Sequence, residues 1–192
     1  FVLVFPPMDE DDKFAILPYF WIPEDTLELR VRRDHVPYDI WERQGFLQTT
    51  EGNVVHYGYI EKFIEQLGER FNIREIAFDR WGAVQMVQNL EGMEFTVVPF
   101  GQGFKDMSPP TKELMKLTLE QKLAHGGHPV LRWMMDNIFI RTDPAGNIKA
   151  DKEKSTEKID GAIATIIGLD RAIRCGNMNT ESVYDARGIL FI

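Results

Sequence analysis

Two aspartates stand where chemistry is most readily built. Asp79 directly follows Ile73 to Phe78, an apolar stretch that reads as a strand. In open α/β sheets, sites gather at the carboxyl ends of strands, where a rigid backbone holds a side chain over a crevice. Asp79 can equally cap the helix expected after it. Asp160 falls in the first turn of an expected final helix, flanked by Ile159 and by Gly161-Ala162-Ile163-Ala164. A helix N-terminus favours the ionised carboxylate, and a charge entering so apolar a segment calls for a partner or a metal. An exposed first-turn acid is the plain alternative. Two hard oxygen ligands on separate elements suit Mg²⁺ or Mn²⁺, and such ions activate water and stabilise leaving oxygens in phosphodiester hydrolysis. Glu157, one turn before Asp160, is a possible additional ligand or an ordinary solvated acid.

Other polar clusters are less specific. His125-Gly126-Gly127-His128 has two histidines but no evident third and fourth zinc ligand. A glycine-flanked loop near substrate is the better reading of it. Lys149, Lys152, Lys154 and Lys158 could meet phosphates. They are interleaved with Asp151, Glu153 and Glu157, so a solvated charged stretch is the default. Gly101-Gln102-Gly103 is not followed by Gly-Lys-Ser/Thr, and no nucleotide-hydrolysis motif is found. The four tryptophans read as packing residues.

The elements that must position these residues follow from the periodicity. Residues 1–6 read as a strand, with Phe14 to Ile22 returning as its hairpin partner. Leu27, Leu29 and Val31 alternate with charged residues, which suits a short strand, with a helical turn as the alternative. Residues 34–56 read as an irregular excursion packed by Tyr38, Trp41 and Phe46. From Tyr57 to Phe71 apolar residues recur at helical spacing, with Glu61, Lys62, Glu65 and Glu69 placed outside. Helices are expected over 83–90, from Ser108 to about Leu123 with Ser108 as cap and Pro109 in the first turn, over 129–137, and over about 156–174. Strands are expected over 95–99 and 138–141, with a turn at Asp143 to Asn147. Residues 176–192 read as a loosely attached tail. Strands first, then alternation, predicts a mixed sheet flanked by helices, antiparallel at the start and parallel later.

Composition narrows the class. The 192 residues suffice for one domain with a sizeable core. Hydrophobic residues make up 44% and charged residues 27%, an ordinary globular balance. No apolar run approaches the roughly 20 residues of a membrane span, so no membrane partner is expected. The single cysteine, Cys175, rules out an internal disulfide and fits a reducing compartment. The net charge of −8 argues against a protein that simply coats nucleic acid. It is compatible with a carboxylate site whose positive charge comes from metal. The chain opens on Phe1 inside an expected strand, which reads as part of something longer.

A set of short motifs, in order along nearly the whole chain, carries a resemblance. They are Val36-Pro37-Tyr38-Asp39 with Trp41, Ile76-Ala77-Phe78-Asp79-Arg80-Trp81, Phe100-Gly101-Gln102-Gly103-Phe104, His125-Gly126-Gly127-His128-Pro129 with Arg132-Trp133, and Lys152-Glu153-Lys154-Ser155 with Lys158-Ile159-Asp160-Gly161. Together they resemble the C-terminal nuclease domain of tailed-phage terminase large subunits, and Tyr184 to Leu190 resembles that family's C-terminus. The resemblance implies a ribonuclease H-like fold over 1–175 with a tail at 176–192. It implies an endonuclease that cuts concatemeric double-stranded DNA with Mg²⁺ or Mn²⁺. It implies an upstream ATPase motor domain, and portal protein and small terminase subunit as partners, in the cytoplasm of an infected or lysogenic bacterial host. Asp79 and Asp160 match two of the family's metal-binding positions. His125, His128, Lys154 and Glu157 become candidate substrate or supporting residues. The family's first catalytic aspartate lies on a strand before the segment matching Phe1. Residues 1–6 would then be the second strand of the fold, with its central first strand missing from this sequence. The competing expectation is a non-catalytic docking module, with 34–56 and 176–192 as contact surfaces.

Overall fold

The computed structural model describes residues 1–9, 12–79 and 84–176. Its core is organised around one long helix crossing separate strand ladders. The expected opening hairpin is present: β1 (Val2–Phe5) pairs antiparallel with β2 (Phe14–Pro18), Leu3 opposite Leu17. The second strand ends earlier than its composition suggests. After Pro18 the chain turns, and β3 (Trp21–Pro23) belongs to another ladder, parallel to β4 (Gln48–Thr50).

The region between β3 and β4 is more regular than expected. Residues Leu27–Asp34 form helix α1 and Tyr38–Arg43 form α2. The alternation at 27–31 misleads because Leu27 and Val31 are also four residues apart. Both pack on the core as one helical face, while Leu29 is 63% exposed. His35 ends α1 in the left-handed region at φ 54°. Tyr38 and Trp41 are buried and meet Trp133 edge-on or tilted, so this tryptophan pair is packing.

Helix α3 (Tyr57–Arg70) buries Ile64 and Leu67 as its spacing requires. Glu61, expected outside, is buried and accepts a 2.9 Å bond from the Asn89 amide. That bond removes the cost of an unpartnered buried carboxylate. Asn89 lies on α4 (Val84–Gly92). Strand β5 (Ile76–Asp79) runs parallel to β6 (Val97–Phe100).

Helix α5 begins four residues before the expected start, at Phe104, and ends at Leu119. Gly103 occupies the cap position, and Pro109 and Pro110 lie inside the helix. Ser108 is buried and accepts from the Ile148 amide at 3.1 Å, so its hydroxyl serves a tertiary contact. After α5, β7 (Leu123–Ala124) adds a parallel edge to β2, giving the order β1-β2-β7. Helix α6 (Pro129–Asp136) precedes an antiparallel hairpin of β8 (Ile140–Thr142) and β9 (Ile148–Ala150). β9 overlaps the start of the lysine-rich stretch expected to be a solvated charged segment, and Ala150 in it is buried.

Helix α7 (Asp160–Cys175) packs against β1, β5, α5 and α6. It buries Ala162, Ile163, Ile166, Ile167 and Leu169. Gly168 lets it come down on β1: a Cβ there would stand 2.8 Å from Val4 Cγ2. The result is an α/β structure of mixed strand ladders with helices. The tail expected at 176–192 lies, except for Gly176, outside the described residues, as do Arg80 and Trp81. Among the described residues no helix is long and apolar enough to cross a membrane.

Candidate functional site

Asp79 closes β5, in register with Phe100 at the end of β6. Parallel pairing brings both strand ends to the same edge, so the loop after β6 reaches the residue that ends β5. Gln102, in that loop, donates its Nε2 to Asp79 Oδ2 at 2.6 Å. The loop is itself anchored: Lys149 of β9 donates to the Gln102 carbonyl at 3.2 Å, and its ammonium lies 5.3 Å from the Phe104 ring centroid.

Asp160 is the first residue of α7, where the helix N-terminus favours its negative charge. Its side chain is 66% exposed and takes the Lys152 ammonium on Oδ1 at 3.1 Å. Gly161 explains how the helix can begin there. A Cβ at Gly161 would lie 2.5 Å from Phe20 Cε1 and 2.8 Å from Met134 Sδ. The absent side chain lets the start of α7 seat against these two residues, which fixes the backbone beside Asp160.

Helix α7 runs antiparallel to β5. Arg171, late in the helix, makes two contacts to Glu75 Oε2, just before the strand, at 2.7 and 2.6 Å. Asp79 at the far end of β5 therefore returns toward the beginning of α7. Both aspartates line a single cleft of about 410 Å³, together with Gln102 and Lys152. One wall of this cleft is β1 with its flanking residues, the other is β5 with the residues leading into it, and α7 lies along it. Among the described residues β1 pairs only with β2, and β5 only with β6. The cleft thus runs between two strand edges that share a helix but are not paired to each other.

The remaining candidates are placed elsewhere. His128 is the N-cap of α6, its Nδ1 accepting from the Leu131 amide at 3.4 Å. Its ring packs edge-on against Phe20 and Phe46. Burial, and then the neighbouring His125, hold its imidazole below the ordinary histidine range. Lys154 projects its ammonium over the Phe139 ring at 5.4 Å. Glu157 is exposed, and its charge is felt at Arg33 and Tyr38, on the side of α1 and α2. His125, His128, Lys154 and Glu157 do not line the cleft. Asp151 is not the solvated acid its neighbours suggest. It is buried, its Oδ1 accepts from the amides of Glu153 and Lys154, and Arg141 stands 3.6 Å from its Oδ2. Gln102 bonds to Asp79 and Lys152 pairs with Asp160. The signal for Gln102 is its place in a glycine-bracketed loop following the strand paired with that of Asp79.

The fold is α/β, with mixed strand ladders flanked by helices, and comparison with known proteins gives the family. The chain matches the family described as terminase large subunit, endonuclease domain, over residues 2–175, and it belongs to that family. It is 39% identical over 165 residues to the terminase large subunit of Enterobacteria phage HK97, covering 85% of this chain and 33% of that protein. It is 30% identical over 166 residues to protein YmfN of Escherichia coli (strain K12), covering 83% of this chain and 36% of that one. The crystal structure of the HK97 bacteriophage large terminase superposes with a TM-score of 0.81 at 38% identity, over 89% of this chain and 36% of that chain. The large terminase nuclease from thermophilic phage G20c shares the fold at 12% identity and a TM-score of 0.50, over 62% and 64% of the two chains. The chain spans about a third of the length of the curated relatives it matches.

Proposed function

We propose that this chain is a ribonuclease H-like endonuclease domain that hydrolyses phosphodiester bonds in concatemeric double-stranded DNA during phage genome packaging. The observation that carries this reading is the meeting of Asp79 and Asp160, from a strand end and a helix start, in one cleft. Hard carboxylate oxygens at the ends of rigid elements suit Mg²⁺ or Mn²⁺. Asp79 and Asp160 would hold such ions, which when bound supply an activated water and neutralise the charge on the phosphate.

Two carboxylates fall short of a complete two-metal site. Among the described residues no group of three acidic, histidine or cysteine side chains is placed to hold a metal. The cleft offers a physical location for the third. An extended segment lying between β1 and β5 could pair its backbone with both edges and join the two ladders into one sheet. We place the remaining carboxylate on such a central strand, preceding β1, at the level of Asp79 and Asp160.

Each residue then has a defined task. Asp79 is kept in one orientation by Gln102, which leaves it pre-set rather than searching among rotamers. Asp160 is fixed through the seat of Gly161 against Phe20 and Met134. The chain's charge of −8 leaves little general attraction for DNA. Grip on the duplex therefore falls to other parts of the assembly: an ATPase motor domain, the portal and the small terminase subunit, in the host cytoplasm. Residues 1–175 are the nuclease unit in this reading, and 176–192 its tail. In the full-length protein, Asp79→Asn and Asp160→Asn should each abolish Mn²⁺-dependent plasmid nicking. Nicking retained in either variant would remove that carboxylate from the site and favour a docking role.

A further inference from the structure

We propose that Lys152 is a positioning residue with two alternating partners, Asp160 in the metal-free protein and a phosphate oxygen of the DNA once a divalent cation occupies the carboxylates. The proposal rests on the reading of Asp79 and Asp160 as metal ligands.

The backbone beneath Lys152 is firmly held. Asp151 donates its amide to the Phe139 carbonyl at 2.9 Å, and its carbonyl accepts from the Ser155 amide and hydroxyl. Its buried carboxylate accepts two further amides of the same turn. This turn sends neighbouring charged side chains to different places: Asp151 inward, Lys152 to the cleft, Lys154 onto Phe139. The arm above it is only lightly held. Lys152 and Asp160 are 47% and 66% exposed, so their 3.1 Å contact is solvent-screened and easily exchanged.

Location supplies the second partner. Lys152 lines the carboxylate cleft and also an adjoining cavity with Gln102, Arg141 and Lys149. Asp151 and Glu153 line that cavity too, with Arg141 3.6 Å from Asp151, so the wall carries both signs and Lys152 is the cation it shares with the carboxylate cleft. A lysine ammonium is a compact charge on a flexible stem with three donors, suited to following a phosphate oxygen rather than fixing one geometry. A divalent ion at Asp160 would compete directly with the ammonium for Oδ1. Displaced, the ammonium would remain within the same cleft, where a phosphate brought to the carboxylates must lie.

The variant Lys152→Met removes the charge and keeps most of the stem. Mn²⁺ affinity of the full-length protein without DNA, read by titration calorimetry or by the loss of the free-ion electron paramagnetic signal, should tighten roughly three- to fivefold, the size of a lost exposed ion pair. Nicking at saturating Mn²⁺ should fall by about tenfold or more, with Lys152→Arg restoring part of the rate. An unchanged thermal midpoint confirms that the variant is folded. Weaker Mn²⁺ binding in Lys152→Met, or an unchanged saturating rate, overturns the proposal. Asp160→Asn separates the two levels of inference. If it binds Mn²⁺ as the parent does, the carboxylate reading itself fails and the proposal with it. If it loses binding while Lys152→Met behaves as the parent, only the role of Lys152 falls.

Discussion

Replacing Gly161 with alanine would place a methyl group in space that is already filled. The new Cβ would lie 2.5 and 2.7 Å from ring carbons of Phe20 and 2.8 Å from Met134 Sδ, against ordinary contacts above 3.4 Å. Phe20 and Met134 are themselves buried, at 9% and 8% exposure, and neither can retreat into solvent. Overpacking of this kind costs typically 1–3 kcal/mol. Alanine's helix propensity returns at most about 1 kcal/mol, and less in a first turn. The net destabilisation is then about 1–2 kcal/mol, or roughly 2–8 °C in Tm for a chain of this size. Activity should suffer more than stability, because the strain falls on the residue next to Asp160. A displacement of about 1 Å at a reacting group can cost roughly a hundredfold in rate. The assay pairs a thermal melt with plasmid nicking measured well below the melt. Adding Phe20→Leu, which removes the two crowded ring carbons, should make the double variant less impaired than the two single effects combined. A Gly161→Ala protein that melts within 1 °C of the parent and nicks normally would refute the claim that this glycine seats the start of α7 beside Asp160.

Further expectations concern the supports of the cleft. Gln102→Met should leave the fold intact, since Lys149 bonds to the Gln102 backbone, yet slow saturating cleavage by about tenfold through loss of the 2.6 Å bond to Asp79. Single-turnover rates at saturating Mn²⁺ measure this. Arg171→Met or Glu75→Gln should each destabilise the protein by about 1–2 kcal/mol in urea unfolding, and a double-mutant cycle should show coupling, because the pair ties α7 to the start of β5. His128 is held below the ordinary histidine range mainly by burial, and its neutral Nδ1 caps α6. The unfolded chain therefore binds the proton first as pH falls, and stability should decline from about pH 6.5 downward until the folded form also protonates. In His128→Asn, which keeps a capping oxygen, that part of the pH dependence should vanish from unfolding curves.

What the sequence made legible, and what it hid, divides along physical lines. Helix α3 was readable because Ile60, Phe63, Ile64 and Leu67 recur at three- and four-residue spacing on one face, a pattern a strand does not give. The places of the two aspartates, at a strand end and a helix start, were readable because such ends are marked by composition on either side. Helix α1 was obscured because Leu27 and Val31 satisfy both a two-residue and a four-residue repeat. Pro109 suggested a helix start because proline is usually found there. The helix instead starts after Gly103, and Ser108, buried against the β9 backbone, lies inside it with both prolines. The destinations of Asp151, Lys152 and Lys154 were hidden most completely. Nothing in a run of alternating charges distinguishes its members until one tight turn points them apart.

The two facing edges of β1 and β5 also bear on how this polypeptide must be handled in solution. A strand partnered on one side presents amides and carbonyls to any extended peptide that arrives. Two such edges lining one slot make a template for recruitment by a neighbouring copy. Expressed as residues 1–192 alone, the domain is expected to be prone to intermolecular strand exchange and aggregation, and an extended peptide supplied to the slot, such as the central strand proposed above, should improve its yield and solubility before any gain in cleavage is measured.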